Sequence, residues 1–279
     1  MNTNIVNALS FDIEDWYMGI EIGPERWGEF EKRLHIGIDK ILSILNENKT
    51  RATFFVLGRC ADESPELIRK IAGEGHEIAT HGLSHTKIYE MNPKTFDTEL
   101  ARSIELLTKT TGNAIIGHRA PYFSITKDSL WAFDILKKNG IIYDCSVYPG
   151  ANYRYGIDGT PANPYQVEKS GIAEFPVSVL KIGGKKAGLG GAYFRILPYS
   201  FTKSGLLAYN RIGQPAIFYL HPWEFDPQHP KTVFPKKAQV THYCNIKSTE
   251  IKFRKLLRDF KFAPVYDVLI SAKALLPAE

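Results

Sequence analysis

The strongest constraint on the fold is a regular alternation of short apolar runs with longer stretches whose apolar residues recur at helical spacing. The predicted strands are residues 5–11, 52–57, 76–80, 114–116, 141–143 and 215–220. Seven or eight strand–helix units in series predict a parallel sheet. At 279 residues, a closed or nearly closed (β/α) barrel with about seven parallel strands is favoured over an open doubly wound sheet.

The composition, 44% hydrophobic and 23% charged, is that of an ordinary globular protein. The net charge of +5 is spread over 35 basic and 30 acidic side chains, which argues against a nucleic-acid partner. No run reaches the ~20 apolar residues of a membrane span, and no export signal precedes the first strand. We therefore expect a cytoplasmic protein with no membrane span. Cys60, Cys145 and Cys244 lack CxxC spacing and are interpreted as reduced thiols.

The alternation breaks once, between about residues 149 and 191, where Gly, Pro and Tyr are frequent. Residues 173–177 and 178–180 are the predicted strands of this region. We interpret the chain as a single catalytic domain, residues 1–279, in which the irregular insertion 149–191 contributes to a substrate groove. The sequence leaves the oligomeric state open.

Titratable side chains follow most of the predicted strands. Active sites of α/β barrels collect at the C-terminal ends of the strands, where successive loops converge. These side chains are therefore expected to share one site: Asp12, Glu14, Asp15, His81, His85, His118, Arg119, Asp144 and His221.

An HxxxH pair, His81 and His85, follows the third strand and is a candidate for metal binding. Four-residue spacing can place two imidazoles on one side of a helical turn. With a carboxylate from the first strand they would leave open positions on a catalytic divalent metal. Glu14 lies on the same side as Asp12 in an extended chain, whereas Asp15 reaches the site only if the chain turns. The choice between Glu14 and Asp15 stays open, and Asp15 as a cap of a following turn is the alternative.

Two further residues have the chemistry of an acid–base site. Arg119 can form a bidentate pair with a carboxylate and keep it ionised, although an ordinary ion pair is the competing interpretation. His221 follows an apolar run and can act as a general acid, whereas a core histidine bonded to backbone is the alternative. Among the aromatic residues near these loops, Trp16, Tyr122 and Trp223 are the candidates for contact with a sugar ring.

Taken in order, the segments FDIED, HGLSH, RAPY, YDCS and LHPWE resemble the five motifs of the polysaccharide deacetylases, the NodB-homology family or carbohydrate esterase family four. The segments GAYFRILPY and THYCNI extend the resemblance to the bacterial branch associated with exopolysaccharides and surface glycans. The resemblance implies a distorted (β/α) barrel. One departure is that Ile13 separates Asp12 from Glu14, whereas the commonest family pattern has two adjacent aspartates.

The resemblance implies metal-dependent hydrolysis of an N-acetyl group, or less often an O-acetyl group, on an amino sugar of a glycan or glycan precursor. Glu14 or Asp15, together with His81 and His85, would hold the divalent metal. Zn²⁺ is the favoured metal, and Co²⁺, Ni²⁺ or Mn²⁺ are alternatives. The partner is then an N-acetylated sugar or glycan substrate.

The same resemblance assigns catalytic roles. Asp12 would be the general base that activates water, oriented by Arg119. His221 would protonate the leaving amine, and Asp144 would orient or tune His221. The backbone N–H of Tyr122 would stabilise the oxyanion.

Two alternatives are retained. A related branch of the fold has lost the metal and hydrolyses cyclic ureides, so a non-sugar amide or ureide is the second substrate class. Both His81 and His85 are present, which favours the metal-dependent reaction. A glycan-binding module without catalysis is disfavoured because base, ligands and acid are all present.

Overall fold

The structure is a computed structural model that describes residues 5–20, 22–150, 155–232 and 236–275. Its strands, numbered along the chain, are β1 (Val6–Ile13), β2 (Thr53–Val56), β3 (Glu77–Thr80), β4 (Gly117–His118), β5 (Tyr143–Asp144), β6 (Tyr165–Gln166), β7 (Ala173–Glu174), β8 (Val179–Ile182), β9 (Lys185–Gly188), β10 (Ile217–Leu220) and β11 (Lys261–Ala263). Its α-helices are α1 (Leu34–Glu47), α2 (Gly58–Glu63), α3 (Pro65–Gly73), α4 (Pro93–Thr111), α5 (Ala132–Lys138), α6 (Gly191–Ile196), α7 (Tyr199–Arg211), α8 (Lys236–Tyr243), α9 (Thr249–Asp259) and α10 (Val265–Ser271). Short 3₁₀ helices include Pro121–Phe123 and Pro222–Phe225.

The main sheet has the strand order β10-β1-β2-β3-β4-β5-β7-β6, and β11 pairs with β1. These pairs are parallel except β6–β7. Beyond β7 the chain reaches β10 at the opposite end of the sheet, where the Ile217 N–H donates to Ser178 Oγ at 2.8 Å. The sheet is therefore curled into a distorted (β/α) barrel, as expected.

The core forms where the apolar faces of the helices cover this sheet. On α1, Ile38, Ile41 and Leu45 recur at helical spacing and are fully buried. On the sheet, the rings of Phe11 and Phe54 lie 5.1 Å apart on the neighbouring strands β1 and β2. This packing fixes β1, whose far end supplies the first candidate site residues.

Helix boundaries follow local signals in some places and tertiary context in others. At α4, the Asn92 side chain accepts a bond from the Thr95 N–H, and the helix ends at Gly112, whose φ of 73° suits glycine. By contrast, Ser64 precedes α3 without a side-chain capping bond. Between β4 and β5 the helical segment is divided into a 3₁₀ turn, Lys127–Ser129, and α5.

The region around 149–191 is less irregular than the sequence suggested. Its β7 extends the main sheet, whereas β8 pairs with β9 in a separate antiparallel hairpin. Tyr153, an aromatic residue of this region, lies outside the described residues. Cys60 and Cys145 are buried free thiols. Among the helices described, none has both the length and the apolar character needed to cross a membrane.

Candidate active site

A pocket of about 230 Å³ opens where β1, β3, β4 and β10 end. The strands run in parallel, so their C-terminal ends meet at one edge of the barrel. Lining residues that the sequence had predicted for the site are Asp12, Glu14, His81, His85, Tyr122, His221 and Trp223.

Three of these residues form a candidate metal site. One ligand atom each from Glu14, His81 and His85 lies within 4.8 Å of the others, and all three residues are buried. Glu14 Oε2 is 2.5 Å from His85 Nε2. His81 Nδ1 donates to the Arg119 carbonyl at 2.8 Å, so His81 Nε2 carries the lone pair. Two imidazoles and one carboxylate in this arrangement fit a divalent cation.

The electrostatics of the three residues suit the same role. Burial lowers the pKa of His81 to about 4, so this imidazole is neutral at neutral pH. Burial alone would raise the pKa of Glu14, but the charge and hydrogen bond of His85, with the charge of His221, lower it below its usual range. A neutral imidazole and an ionised carboxylate are the protonation states that bind a metal.

The HxxxH spacing suggested that the two histidines share a helical turn. In the structure they do not. The chain after β3 forms a loop, in which Gly82 has φ of 79° and His85 has φ of 57°. This left-handed backbone returns the His85 ring to within 5.4 Å of the His81 ring. A positive φ at a non-glycine residue is strained, which is common at functional sites.

The open choice between Glu14 and Asp15 is decided by helix α1. Asp15 Oδ2 accepts bonds from the backbone N–H groups of Arg33 at 2.8 Å and Leu34 at 3.1 Å, and Oδ1 accepts from the Trp16 N–H at 2.8 Å. Because α1 begins at Leu34, Asp15 caps this helix from a distant part of the chain. Asp15 therefore has the capping role given as the alternative, and Glu14 is the carboxylate that lies beside the two histidines.

Asp12 lies beside the candidate metal site and is held by Arg119. Arg119 Nη1 donates to Asp12 Oδ1 at 2.6 Å and to Ser10 Oγ at 2.9 Å, and Nε donates to the Cys145 carbonyl at 3.3 Å. The guanidinium carbon lies 4.1 Å from the centre of the Phe55 ring. The Asp12 contact uses a single guanidinium nitrogen rather than the bidentate geometry that we expected.

His221 faces Asp12 and Glu14 across the pocket. Its Nε2 is 3.9 Å from Asp12 Oδ2 and 3.7 Å from Glu14 Oε1, and its Nδ1 donates to Glu224 Oε1 at 2.7 Å. Burial would lower the pKa of His221, but the Glu224 hydrogen bond and the charges of Glu14, Glu224 and Asp12 raise it to about 9. The geometry thus directs His221 Nε2 toward the two carboxylates, and the raised pKa keeps a proton on the ring at neutral pH.

Asp144 does not orient His221, contrary to the expectation. His118 Nδ1 donates to Asp144 Oδ1 at 2.6 Å, and Ser146 Oγ donates to the same oxygen at 2.7 Å. The reason is register: His118 on β4 and Asp144 on β5 are direct neighbours in the sheet. The carboxylate that bonds His221 is Glu224, in the same HPWE segment. Glutamate three residues after the first residue beyond a strand, here His221, with proline between them, is a capping pattern that would have indicated this contact.

The aromatic candidates divide into two groups. Tyr122 and Trp223 line the pocket; the Tyr122 ring is 4.6 Å from His85, and Trp223 Nε1 donates to Glu14 Oε1 at 3.3 Å. Trp16 is 1% exposed, and its Nε1 donates to the Glu31 carbonyl at 3.0 Å. Trp16 thus lies in the core and not among the pocket-lining residues, unlike the expected sugar contact.

One wall of the pocket comes from a part of the chain to which we assigned no site residue. Arg195 on α6 and Thr241 and His242 on α8 line it. Arg195 is buried, and its Nε lies 2.5 Å from Glu224 Oε2. Its other nitrogens donate to the carbonyls of Thr241 at 2.7 Å and His242 at 2.9 Å. The GAYFRILPY and THYCNI segments contain these residues, but neither carries a local signal for such a contact.

Two families match the chain. Polysaccharide deacetylase matches residues 27–141, and a domain of unknown function (DUF3473) matches residues 145–270. His81, His85 and Arg119 lie in the first segment. Residues that line or support the opposite side of the pocket lie in the second: Arg195, His221 and Glu224.

Curated relatives match part of the chain. The peptidoglycan-N-acetylglucosamine deacetylase of Bacillus cereus is 35% identical over 94 residues, which are 33% of this chain and 34% of that protein. A chitooligosaccharide deacetylase of Bradyrhizobium is 32% identical over 97 residues, which are 34% of this chain and 42% of that protein. The chain thus spans less than half the length of these relatives.

Solved structures match the whole fold. A Mycobacterium smegmatis protein classed with the polysaccharide deacetylases has a TM-score of 0.68 at 20% identity, covering 100% of this chain and 94% of that chain. An allantoinase has a TM-score of 0.63 at 14% identity, covering 100% of this chain and 93% of that chain. At these identities the likeness concerns the fold. Residues 27–141 therefore match the polysaccharide deacetylase family, within a chain whose whole fold resembles that of the M. smegmatis protein.

Proposed function

We propose that the protein is a metal-dependent hydrolase that removes an acetyl group from an N-acetylated amino sugar of a polysaccharide or surface-glycan precursor. The observation that carries the proposal is the buried Glu14–His81–His85 group, with Asp12 beside it and His221 facing it. Relatives named as deacetylases of peptidoglycan and chitooligosaccharide support the substrate class. Because both matched segments contribute to one pocket, we infer that they act as a single catalytic domain.

Glu14, His81 and His85 would hold the metal. When bound, a divalent metal supplies a Lewis acid that polarises the acetyl carbonyl and makes a water more acidic. Two nitrogen donors and one oxygen donor suit Zn²⁺, and Co²⁺, Ni²⁺ or Mn²⁺ are alternatives with the same donor set.

Asp12 is the base in this proposal. It takes a proton from the water that adds to the acetyl carbon. Arg119 binds Asp12 Oδ1 at 2.6 Å. The other oxygen, Oδ2, is on the side of the pocket where His221 lies and accepts the proton. The Ser10 and Cys145 contacts of Arg119 hold this pair in one orientation.

His221 is the acid. Its Nε2 gives a proton to the sugar nitrogen as the carbon–nitrogen bond breaks, so that acetate and a free amine leave. Tyr122 adopts φ of 55° at the pocket wall, and we propose its backbone N–H as a donor to the oxygen that becomes negatively charged. Trp223, whose ring lies parallel to that of His221, forms the adjoining wall.

Acetate release tests the proposal. Metal-free protein is assayed on N-acetylglucosamine oligomers and peptidoglycan fragments, with and without each candidate metal, and on cyclic ureides as the alternative class. We expect metal-dependent acetate release that is abolished by Asp12→Asn and by His81→Ala, in variants whose circular dichroism matches the wild type. Full activity of Asp12→Asn, or turnover of ureides alone, would contradict the proposal.

A further inference from the structure

We propose that Glu224 and Arg195 are positioning residues that set the orientation of His221 and join the general acid to the pocket wall. The inference rests on the proposed hydrolysis, in which His221 donates the proton. Neither residue was assigned a role from the sequence. Both are supplied by the segment after residue 145 rather than by the segment that carries His81 and His85.

Glu224 fixes His221 at two points. Its Oε1 accepts from His221 Nδ1 at 2.7 Å and from the His221 backbone N–H at 2.9 Å. Because Nδ1–H is committed to this bond, Nε2 is the nitrogen that faces Asp12 and Glu14. The same bond persists after His221 has given up its Nε2 proton, so the ring keeps its place through the reaction.

Arg195 holds Glu224 in the charged form that this contact needs. The Glu224 side chain is fully buried, and a buried carboxylate requires a partner. Arg195 Nε provides it at 2.5 Å from Oε2, the oxygen that does not contact His221. The two oxygens of Glu224 therefore serve two different partners. The charges of Glu224 and Arg195 compensate each other whether or not His221 carries its second proton.

Arg195 also ties this pair to the wall. It donates to the carbonyls of Thr241 at 2.7 Å, His242 at 2.9 Å and Cys244 at 2.9 Å. The His242 ring stacks on Trp223 at 4.1 Å, and Trp223 in turn stacks on His221 at 5.3 Å. A single guanidinium thus fixes the relative positions of the end of α8, Trp223 and the His221 ring.

The test separates positioning of the acid from general structural damage. Hydrolysis of an N-acetylglucosamine oligomer needs a proton for its amine leaving group, whereas 4-nitrophenyl acetate has a leaving group that departs as an anion. We expect Glu224→Gln to lower kcat on the amide by about 100-fold, with less than about a fivefold loss on the ester and little change in KM. Since Glu224→Gln leaves Arg195 without its carboxylate, the double variant Arg195→Gln/Glu224→Gln is measured beside it and should show the same selective loss. Equal losses on amide and ester, or no loss on the amide, would overturn the proposal.

Asp226→Asn is the matched control, because Asp226 is another buried carboxylate with an arginine partner, Arg33 at 2.6 Å, two residues further along. It should leave the ratio of amide to ester activity unchanged. A downfield proton NMR signal from His221 Nδ1–H, assigned by its loss in His221→Gln, reads the contact without any substrate. We expect it at the same position in wild type and Asp226→Asn, and shifted upfield or lost in Glu224→Gln, whose neutral amide oxygen is a weaker acceptor; its absence from wild type, or an unchanged position in Glu224→Gln, would contradict the proposal. If wild type releases no acetate from any N-acetylated sugar, the proposed function fails, and the NMR result still decides the positioning role.

Discussion

Gly19 packs so closely against Glu14 that a Cβ at position 19 would stand 2.8 Å from Glu14 Oε1. Only a shift of the carboxylate can relieve this contact, and Glu14 is held by Trp223 on Oε1 and by His85 on Oε2. We therefore predict that Gly19→Ala keeps the fold and weakens metal affinity roughly 10- to 100-fold, the range for disturbed support of a metal ligand. Calorimetric titration of the metal-free proteins with Zn²⁺ measures this change in affinity.

Gly28→Ala is the control for Gly19→Ala, since a Cβ at Gly28 meets no atom within 4 Å. It should bind metal as wild type does. If Gly19→Ala also binds with wild-type affinity, the Glu14 carboxylate does not take part in the site as described.

Although Asp15 and Glu14 are adjacent, replacing Asp15 should mainly reduce stability, whereas replacing Glu14 should mainly reduce metal binding. Asp15→Ala removes the acceptor for the N–H groups of Trp16, Arg33 and Leu34 and should destabilise the protein by about 2 kcal/mol. Glu14→Ala should abolish metal binding with a smaller loss of stability. Urea unfolding of metal-free protein and metal titration of both variants give the comparison. Loss of metal affinity in a folded Asp15→Ala protein would restore Asp15 as a ligand.

Much of this site could be predicted because its residues follow strand ends. Asp12, His81, Arg119 and His221 each stand at or just beyond an apolar run, and parallel strands bring such positions to one edge. That inference needs only the order of the elements, which the alternation of apolar patterns supplies. It does not need side-chain directions.

Two expectations about the site differ from the structure in the direction of a side chain. Asp144 is directed to His118 because their strands are neighbours in register, and Trp16 turns into the core because Asp15 bends the chain toward α1. The role of Arg195 depends on α6 packing beside α8, a contact between segments distant in sequence. Such contacts depend on how distant segments pack together, so a local sequence pattern does not predict them.

Arg119→Lys tests whether the shape of the guanidinium matters as well as its charge. A lysine ammonium can reach Asp12 but cannot bond Asp12, Ser10 and the Cys145 carbonyl in the observed fork, so the base loses its fixed orientation. We predict that kcat falls about 10- to 100-fold with metal affinity retained. Steady-state kinetics on metal-saturated protein measures this. Ser10→Ala removes one of the supporting bonds but keeps the Asp12–Arg119 contact, so its loss of kcat should be smaller than that of Arg119→Lys. A wild-type kcat for Arg119→Lys would contradict the role given to Arg119.

Glu174 should make the folded protein less stable as the pH rises. It is buried beside Asp144, and burial together with the Asp144 charge raises the pKa of Glu174 well above its usual value. Above the pKa of the unfolded chain, near 4.5, the folded state then holds a proton that the unfolded state has lost. Stability therefore falls by about 1.4 kcal/mol per pH unit over that window.

Glu174→Gln removes this dependence while keeping an oxygen to accept from the Val147 N–H, which donates to Glu174 Oε1 at 2.9 Å. Relative to wild type, the variant should gain stability progressively between pH 5 and pH 8, as measured by urea unfolding at each pH. Glu168→Gln removes an exposed carboxyl from the same segment and controls for net charge. Parallel stability curves for Glu174→Gln and wild type would show that Glu174 is ionised in the folded state, and that Asp144 and Glu174 do not share a buried proton behind the pocket.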